Sequence, residues 1–497
     1  MGKRTDSPGL GSVASAALTA ASMLVVTLFS AVVGVVIARE FGITAETDGF
    51  FAAYGVFIVV VLAAQAIRIA VIPTLTRARD ERRLAGELAG LAIATAAVAV
   101  PLVLVAEFAA GPIGELLTGG GSEVARDTAA EALRWMVPAA AAHLFAGVAA
   151  SGLAAYDDYA TAALGYAGGS TAALALILAR VEPDGIVAVA WGMALNGAIA
   201  LLVPLAGLGW RAYATRMPAA AIRPHGPGLG SRLGLFAGAA ALPIALQLLY
   251  LVCLPFAGRL AEGAVTTLSF AYLGSSALVT ITASSLGLVS SAPLTRAGIG
   301  AEQVARHVVS VSWLALVFVG GAAGVFAFAG ADIVEAILGE AYRGDVGAEL
   351  GGLVAAFGPW MVASVGVTIA FPLAFVAGRS RALPWIGAAA LAAQVPLAWA
   401  AGSLFELRGL ALALAATTFL VLAGLLAQLD ALGRTARGLA VAAAMLGAAA
   451  LVAFLPPALV LGPVATALAG LVLYVALVGA WRPRELRAAW WYLRSLG

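Results

Sequence analysis

Residues 38–78 read AREFGITAETDGFFAAYGVFIVVVLAAQAIRIAVIPTLTRA. A charged turn holding Arg39, Glu40 and Asp48 opens into an apolar run over 50–72, which Pro73 and Thr76-Arg77 close. Gln65 and Arg68 are its only strongly polar side chains. About 20 apolar residues are what an α-helix needs to cross the hydrocarbon core, and only a helix satisfies its own backbone there. The run therefore reads as a transmembrane helix. The stretch before it, 13–38, carries no charge and is too long for a signal-peptide core, so it reads as a retained first helix.

The same pattern recurs along the whole chain. Apolar runs bounded by charge, Gly or Pro predict spans at 13–38, 50–72, 86–110, 132–155, 159–180, 186–208, 233–257, 263–291, 306–330, 351–377, 382–402, 408–429, 437–459 and 461–481. The fold class is thus all-α and integral to the membrane, with about fourteen helices. Composition agrees: of 497 residues 62% are hydrophobic and 11% charged, and the mean hydropathy is +1.01. Soluble domains carry about 25% charged residues, so lipid must be the solvent for most of this surface.

Several functions are excluded at this level. A net charge of +2 gives no reason to expect a nucleic-acid partner. One cysteine, Cys253, allows no intrachain disulfide and no cysteine-based metal site, and His143, His225 and His307 are far apart. There is no P-loop and no nucleophile elbow. GLGSRLG (228–234) reads as loop glycine before a helix, since no strand precedes it. The acidic stretch 332–349 holds no Asp-x-Asp. No cofactor, metal or catalytic residue is expected, and the chain is not read as an enzyme.

Placing the N-terminus in the cytoplasm and alternating puts 20 of the 28 basic residues on the cytoplasmic side, as the positive-inside rule requires. Both termini are then cytoplasmic. An internal repeat supports this register: AREFGITAETDGFFAAY (38–54) followed by PTLTRA (73–78) matches AGRLAEGAVTTLSFAYL (257–273) followed by PLTRA (293–297). Arg39 to Pro73 and Arg259 to Pro293 are each 34 residues. The repeat is parallel and divides the chain into six-helix halves, 1–226 and 227–436. Two further helices follow at 437–481, then a cytoplasmic amphipathic tail, 482–497. Paired halves enclosing a midplane site are a common transporter plan, and they leave a monomer sufficient.

A charge inside a span marks a candidate site, because it needs a cavity or a partner. Arg68 either lines a cavity or snorkels to the headgroups. Arg39, Asp48 and, in the second half, Arg259 flank the outer turns; Arg39 and Asp48 also fit simple helix capping. Gln65, Asn196, Gln247 and Gln394 suit interhelical hydrogen bonds. His143 reads as a hydrogen-bonded helix residue, and Asp157 and Asp158 as a solvated turn.

SAVVGVVIAREFGITAETDGFFAAY (30–54) with VIPTLTRA (71–78) resembles the opening of the MurJ/MviN-type lipid II flippases of the MOP exporter superfamily. Ala38, Arg39, Phe41, Gly42 and Asp48 carry the closest match, and residues 263–296 are similar, more loosely, to that family's eighth helix. The resemblance implies a flippase working by alternating access. Its cargo would be an undecaprenyl-pyrophosphate-linked cell-wall precursor, lipid II-like, moved across a bacterial cytoplasmic membrane by the membrane potential or a coupling cation. Arg39, Asp48, Arg68 and Arg259 become substrate-binding candidates. The chain departs from the family in its cations: helix 1 has none, helix 2 reads GVFIVVVLAAQ where arginine is expected, and Tyr272 and Leu273 replace an Asp-Arg pair. Three alternatives stay open: a flippase of another polysaccharide-lipid, a MATE-like drug antiporter, and a non-transporting scaffold. The antiporter would require an acid deep in helices 1, 2, 7 or 8, where none is found.

Overall fold

The computed structural model of the chain describes residues 10–81, 83–156, 158–214, 227–284, 300–481 and 484–496. Among these there is no strand. The helices are α1 (Leu10–Phe41), α2 (Ala45–Asp80), α3 (Leu84–Leu117), α4 (Glu123–Ala154), α5 (Tyr159–Asp184), α6 (Val187–Ala214), α7 (Leu229–Ala257) and α8 (Ala264–Val279). After a π-helical turn at Thr280–Ser284 come α9 (Ala301–Leu338), α10 (Asp345–Ala356), α11 (Gly358–Val376), α12 (Leu383–Gln428), α13 (Leu432–Ala458), α14 (Pro463–Trp481) and α15 (Arg484–Leu496).

Among the described residues eleven helices are long and apolar enough to cross a membrane, and twelve if the bent pair α10–α11 is one span. That pair turns by 42° just before Pro359 and covers the expected span 351–377. The helix α12 runs 46 residues, but Phe405 and Glu406 leave helical geometry, so it is two arms. They match the separate runs 382–402 and 408–429. With α1, each predicted span has its helix, although the end of 263–291 and the Pro293-Leu294-Thr295-Arg296 stop lie outside the described residues. The chain is a multi-pass membrane protein. Its lipid-facing surface shows on α3, where Ile93, Val100, Leu104, Val105 and Phe108 stand exposed. A single-sided apolar stripe like this would be a liability in water.

The chain divides into two compact units. One comprises residues up to Phe41 and Ala45–Gln247; the other comprises Gly42–Thr44 and everything from Leu248. In the first, α2, α3 and α6 pack against α4, and α5 packs against α1 and α6. The central α4 is lined with small buried residues, Ala139, Ala140, Ala146, Ala149 and Ala150 among them. Hydrocarbon offers no hydrophobic drive between spans, so close backbone contact must supply the attraction. Gly197 of α6 shows how close: a Cβ there would lie 2.7 Å from the Ala139 carbonyl oxygen.

In the second unit, α9 packs against α10, α11, α13, α14 and α15. The arms of α12 fold back so tightly that a side chain at Gly409 would run into the Ala401 carbonyl. The Gly42–Thr44 turn also belongs here. Gly42 and Gly263 are both left-handed, φ 61° and 81°, a conformation that costs glycine nothing. The Tyr342 hydroxyl donates to the Gly42 carbonyl at 3.4 Å, and Ile43 fills the space a side chain at Gly263 would need.

Three local readings are corrected. Residues 229–234 of GLGSRLG are already helical, forming the start of α7. Asp48 is the fourth residue of α2, so it lies in the first turn and does not occupy the capping position. Asp158 is bonded in place: it caps α5, accepting from Thr161 N at 3.1 Å and from Arg211 at 2.7 Å. Burial alone would raise its pKa, yet the Arg211 and Thr161 hydrogen bonds hold it below the ordinary carboxylate value. Asp157 lies outside the described residues.

Candidate functional site

The α2 face that carries residues 50, 54, 57, 64 and 68 recurs at helical spacing, so these side chains line one strip of the first unit. Along it the aromatic rings form a continuous series. Phe50 stacks on Tyr54 with centroids 6.1 Å apart, and Tyr54 on Phe57 at 5.9 Å. Phe57 meets the edge of His143 on α4 at 6.0 Å, and His143 stacks on Tyr166 of α5 at 6.2 Å, nearly parallel. Arg68 ends the series, its guanidinium carbon 5.7 Å from the Tyr166 ring centroid.

Backbone packing fixes this end of the strip. Gly147 on α4 lets α2 approach: a Cβ there would stand 3.2 Å from the Ala64 carbonyl oxygen. One turn on, Ser151 Oγ donates to Gly147 O at 2.8 Å and lies 3.3 Å from Arg68 O. Phe50, Phe51, Phe57 and His143 are buried, whereas Tyr54, Arg68 and Tyr166 keep part of their surface accessible. The strip thus presents a planar cation beside aromatic faces. A guanidinium offers paired donors to a phosphate oxygen pair, and a tyrosine offers both an apolar face and a hydroxyl.

Of the predicted site residues in the first unit, Asp48 and Arg68 do not converge. Asp48 and Arg68 are 20 positions apart on α2, about 30 Å along the axis, so they occupy opposite ends of the span. Asp48 is buried, at 5% exposure, beside the fully buried Thr47. Arg39 is exposed at the end of α1. Arg259 belongs to the second unit, in the turn after α7, with its guanidinium carbon 5.9 Å from the Phe256 ring. Arg68 alone of the four is brought against a cluster of aromatic side chains.

Other polar groups in the spans gain partners that sequence spacing could not announce. Glu87 of α3 and Arg232 of α7 form an ion pair at 2.8 Å, each side chain only 7% exposed. Gly90 leaves the room that the Arg232 guanidinium fills. In the second unit, Tyr250 stacks on Tyr272 at 4.0 Å and shares a 2.7 Å hydrogen bond with Ser269 Oγ. Trp360 closes on Tyr272 at 5.1 Å. Gln394 bonds between helices as expected: its amide donates to Cys253 Sγ at 3.1 Å, and Thr417 donates to its carbonyl at 2.6 Å. Among the described residues no group of His, Cys, Asp and Glu could hold a metal ion.

No family model matches the chain, and no curated protein matches it by sequence. Solved structures do match in fold. The lipid II flippase MurJ in an inward closed conformation superposes with a TM-score of 0.70 at 15% identity, covering 94% of this chain and 99% of that one. An inward-facing multidrug resistance MATE family transporter of the MOP superfamily gives 0.62 at 14% identity, over 84% and 95%. The eukaryotic MATE transporter AtDTX14 gives 0.55 at 17% identity, over 87% and 97%. At these identities the likeness establishes the fold, which is that of the MOP superfamily transporters.

Proposed function

We propose that this chain is a flippase: it carries a polyprenyl-pyrophosphate-linked glycan, lipid II or a close chemical relative, across the bacterial cytoplasmic membrane by alternating access. The observation that carries the reading is the near-complete match to the MurJ fold, 94% of one chain on 99% of the other. The resemblance of residues 30–54 and 71–78 to that family points the same way. Arg68 beside Tyr166 supplies the chemistry. A pyrophosphate cannot enter hydrocarbon bare, because its desolvation costs far more than an unpaired neutral group's. A guanidinium held on an aromatic face replaces part of that hydration with charge-assisted hydrogen bonds. The part-exposed rings of Tyr54 and Tyr166 would then face the sugar. Arg39, Asp48 and Arg259 are assigned to the turns between spans. The protein works as a monomer, since one chain supplies both units.

Reconstitution tests this. The purified protein is placed in liposomes with a fluorescent lipid II whose headgroup label can be bleached from outside. Bleaching of more than half the label shows transfer between leaflets. Arg68→Ala and Tyr166→Leu should each slow transfer at least about tenfold, the loss of roughly one charge-assisted contact. Wild-type liposomes that bleach no more than protein-free ones would leave another polyprenyl-linked glycan, or a scaffold role, as the better reading.

A further inference from the structure

The helix α15 follows α14 almost without a break: Trp481 ends the one and Arg484 begins the other. At roughly 3.3–3.6 Å a residue, that connection reaches at most about 10 Å. The headgroup layer is about 5–7 Å deep on each side of the hydrocarbon core. Because α14 is long and apolar enough to be a span, α15 starts in that layer or just beside it.

The two faces of α15 are unlike. Leu486, Ala489 and Tyr492 recur every third residue and form one face. Ala489 is fully buried, and the other two are half-buried. The helix packs on α9, where Tyr492 meets His307. The Tyr492 hydroxyl and His307 Nδ1 share a 3.1 Å hydrogen bond, and the two rings stand edge to face with centroids 5.7 Å apart. On the opposite face Trp490 and Trp491 are 56% and 66% exposed. At about 100° per residue, the exposed Arg487 falls between them around the helix axis. Two neighbouring indoles standing in water would be a liability. In a headgroup layer each ring has an apolar boundary and each N–H a wet one.

We infer that α15 docks on a lipid surface. It lies in the headgroup layer at the end of α14, with Trp490 and Trp491 among the headgroups and its other face on α9. The connection from α14 selects this occupant: a helix tethered within about 10 Å of the span's end has the bilayer as its nearest apolar boundary. The seat rests on the indoles, not on a charge balance. Since α9 also packs against α10, α11, α13 and α14, the docked helix ties the centre of the second unit to one leaflet. The inference is separate from the transport reading and stands without it.

Electron paramagnetic resonance on the full chain in lipid nanodiscs tests it, with a spin label at Ala488→Cys, an exposed position of α15. Cys253 is buried, which directs the label to the new thiol. Oxygen partitions into lipid and a nickel chelate into water, so their relative access to the label gives its depth. The label should report the headgroup layer. Trp490→Ser with Trp491→Ser should shift the helix from seated to free at least about tenfold, the loss of two partly buried indoles. Tyr492→Phe, which removes only the hydroxyl that meets His307, should leave the depth unchanged. A label as accessible to nickel as one in open water would overturn the inference, with no tryptophan variant needed. So would an unchanged depth in a double serine variant whose thermal unfolding matches wild type. Loss of depth in Tyr492→Phe alone would assign the seat to α9 and not to lipid. A label in water in nanodiscs but protected in native membranes would give this face to a protein partner and overturn the inference as well.

Discussion

At the scale of single residues, the pair Glu87–Arg232 has the most at stake. Each side chain is 7% exposed, so deleting either partner leaves the other charge buried without its counter-ion. Arg232→Ala should therefore destabilise the protein by about 3–5 kcal/mol, whereas replacing both by leucine should restore most of that. Thermal unfolding in detergent measures both. Gly90→Ala should act like a partial Arg232 deletion, because the new methyl claims the guanidinium's space. Asp158 predicts a pH dependence. Its folded pKa lies below the unfolded value of about 3.9, so it contributes stability at neutral pH that is lost as pH falls through the folded value. Asp158→Asn should be less stable than wild type at pH 7, and the difference should close below about pH 4. At this scale the sequence told half. Arg68 stands out as a cation inside an apolar run, but Tyr166 lies 98 positions further on and nothing in its surroundings marks it. Glu87 and Arg232 are 145 positions apart and nothing in the sequence pairs them; the approach of α7 to α3 takes them from water.

At the scale of elements, hydropathy was nearly sufficient. A run of about 20 apolar residues has few alternatives to a helix, so the spans fell where they were expected. What hydropathy could not convey is how spans join. The turn between 402 and 408 is so short that the two arms form one 46-residue element with a break at Phe405–Glu406. Glu406 adopts φ 51° and ψ −134°, a region that costs a side-chain-bearing residue of order 1–3 kcal/mol. Glu406→Gly should stabilise the hairpin by about 1 kcal/mol. Gly409→Val should do the reverse and cost about 2 kcal/mol or more, since the Ala401 backbone cannot yield as a side chain could. Denaturation of the two variants in parallel separates relief of strain from collision.

At the scale of the whole molecule, the fold joins a MOP-type architecture to an unusual distribution of charge. The first helix carries no cation over 13–38, and Tyr272, at a position where the resembling family shows an acid, stacks with Tyr250 instead. Within the second unit this position is therefore aromatic where the resembling family carries charge. No acidic residue stands deep in α2 or α7, where a cation exporter would need one.

The central claim is that this chain moves a lipid-linked glycan, and accessibility of the headgroup in living cells tests it most directly. The protein is expressed in bacteria depleted of their own lipid II flippase, and externally added enzyme reports how much lipid II faces outward. The account predicts that wild type restores exposure and that Arg68→Ala, confirmed as folded in the membrane, does not. Failure of the folded wild-type protein to restore any exposure would contradict lipid II as its cargo.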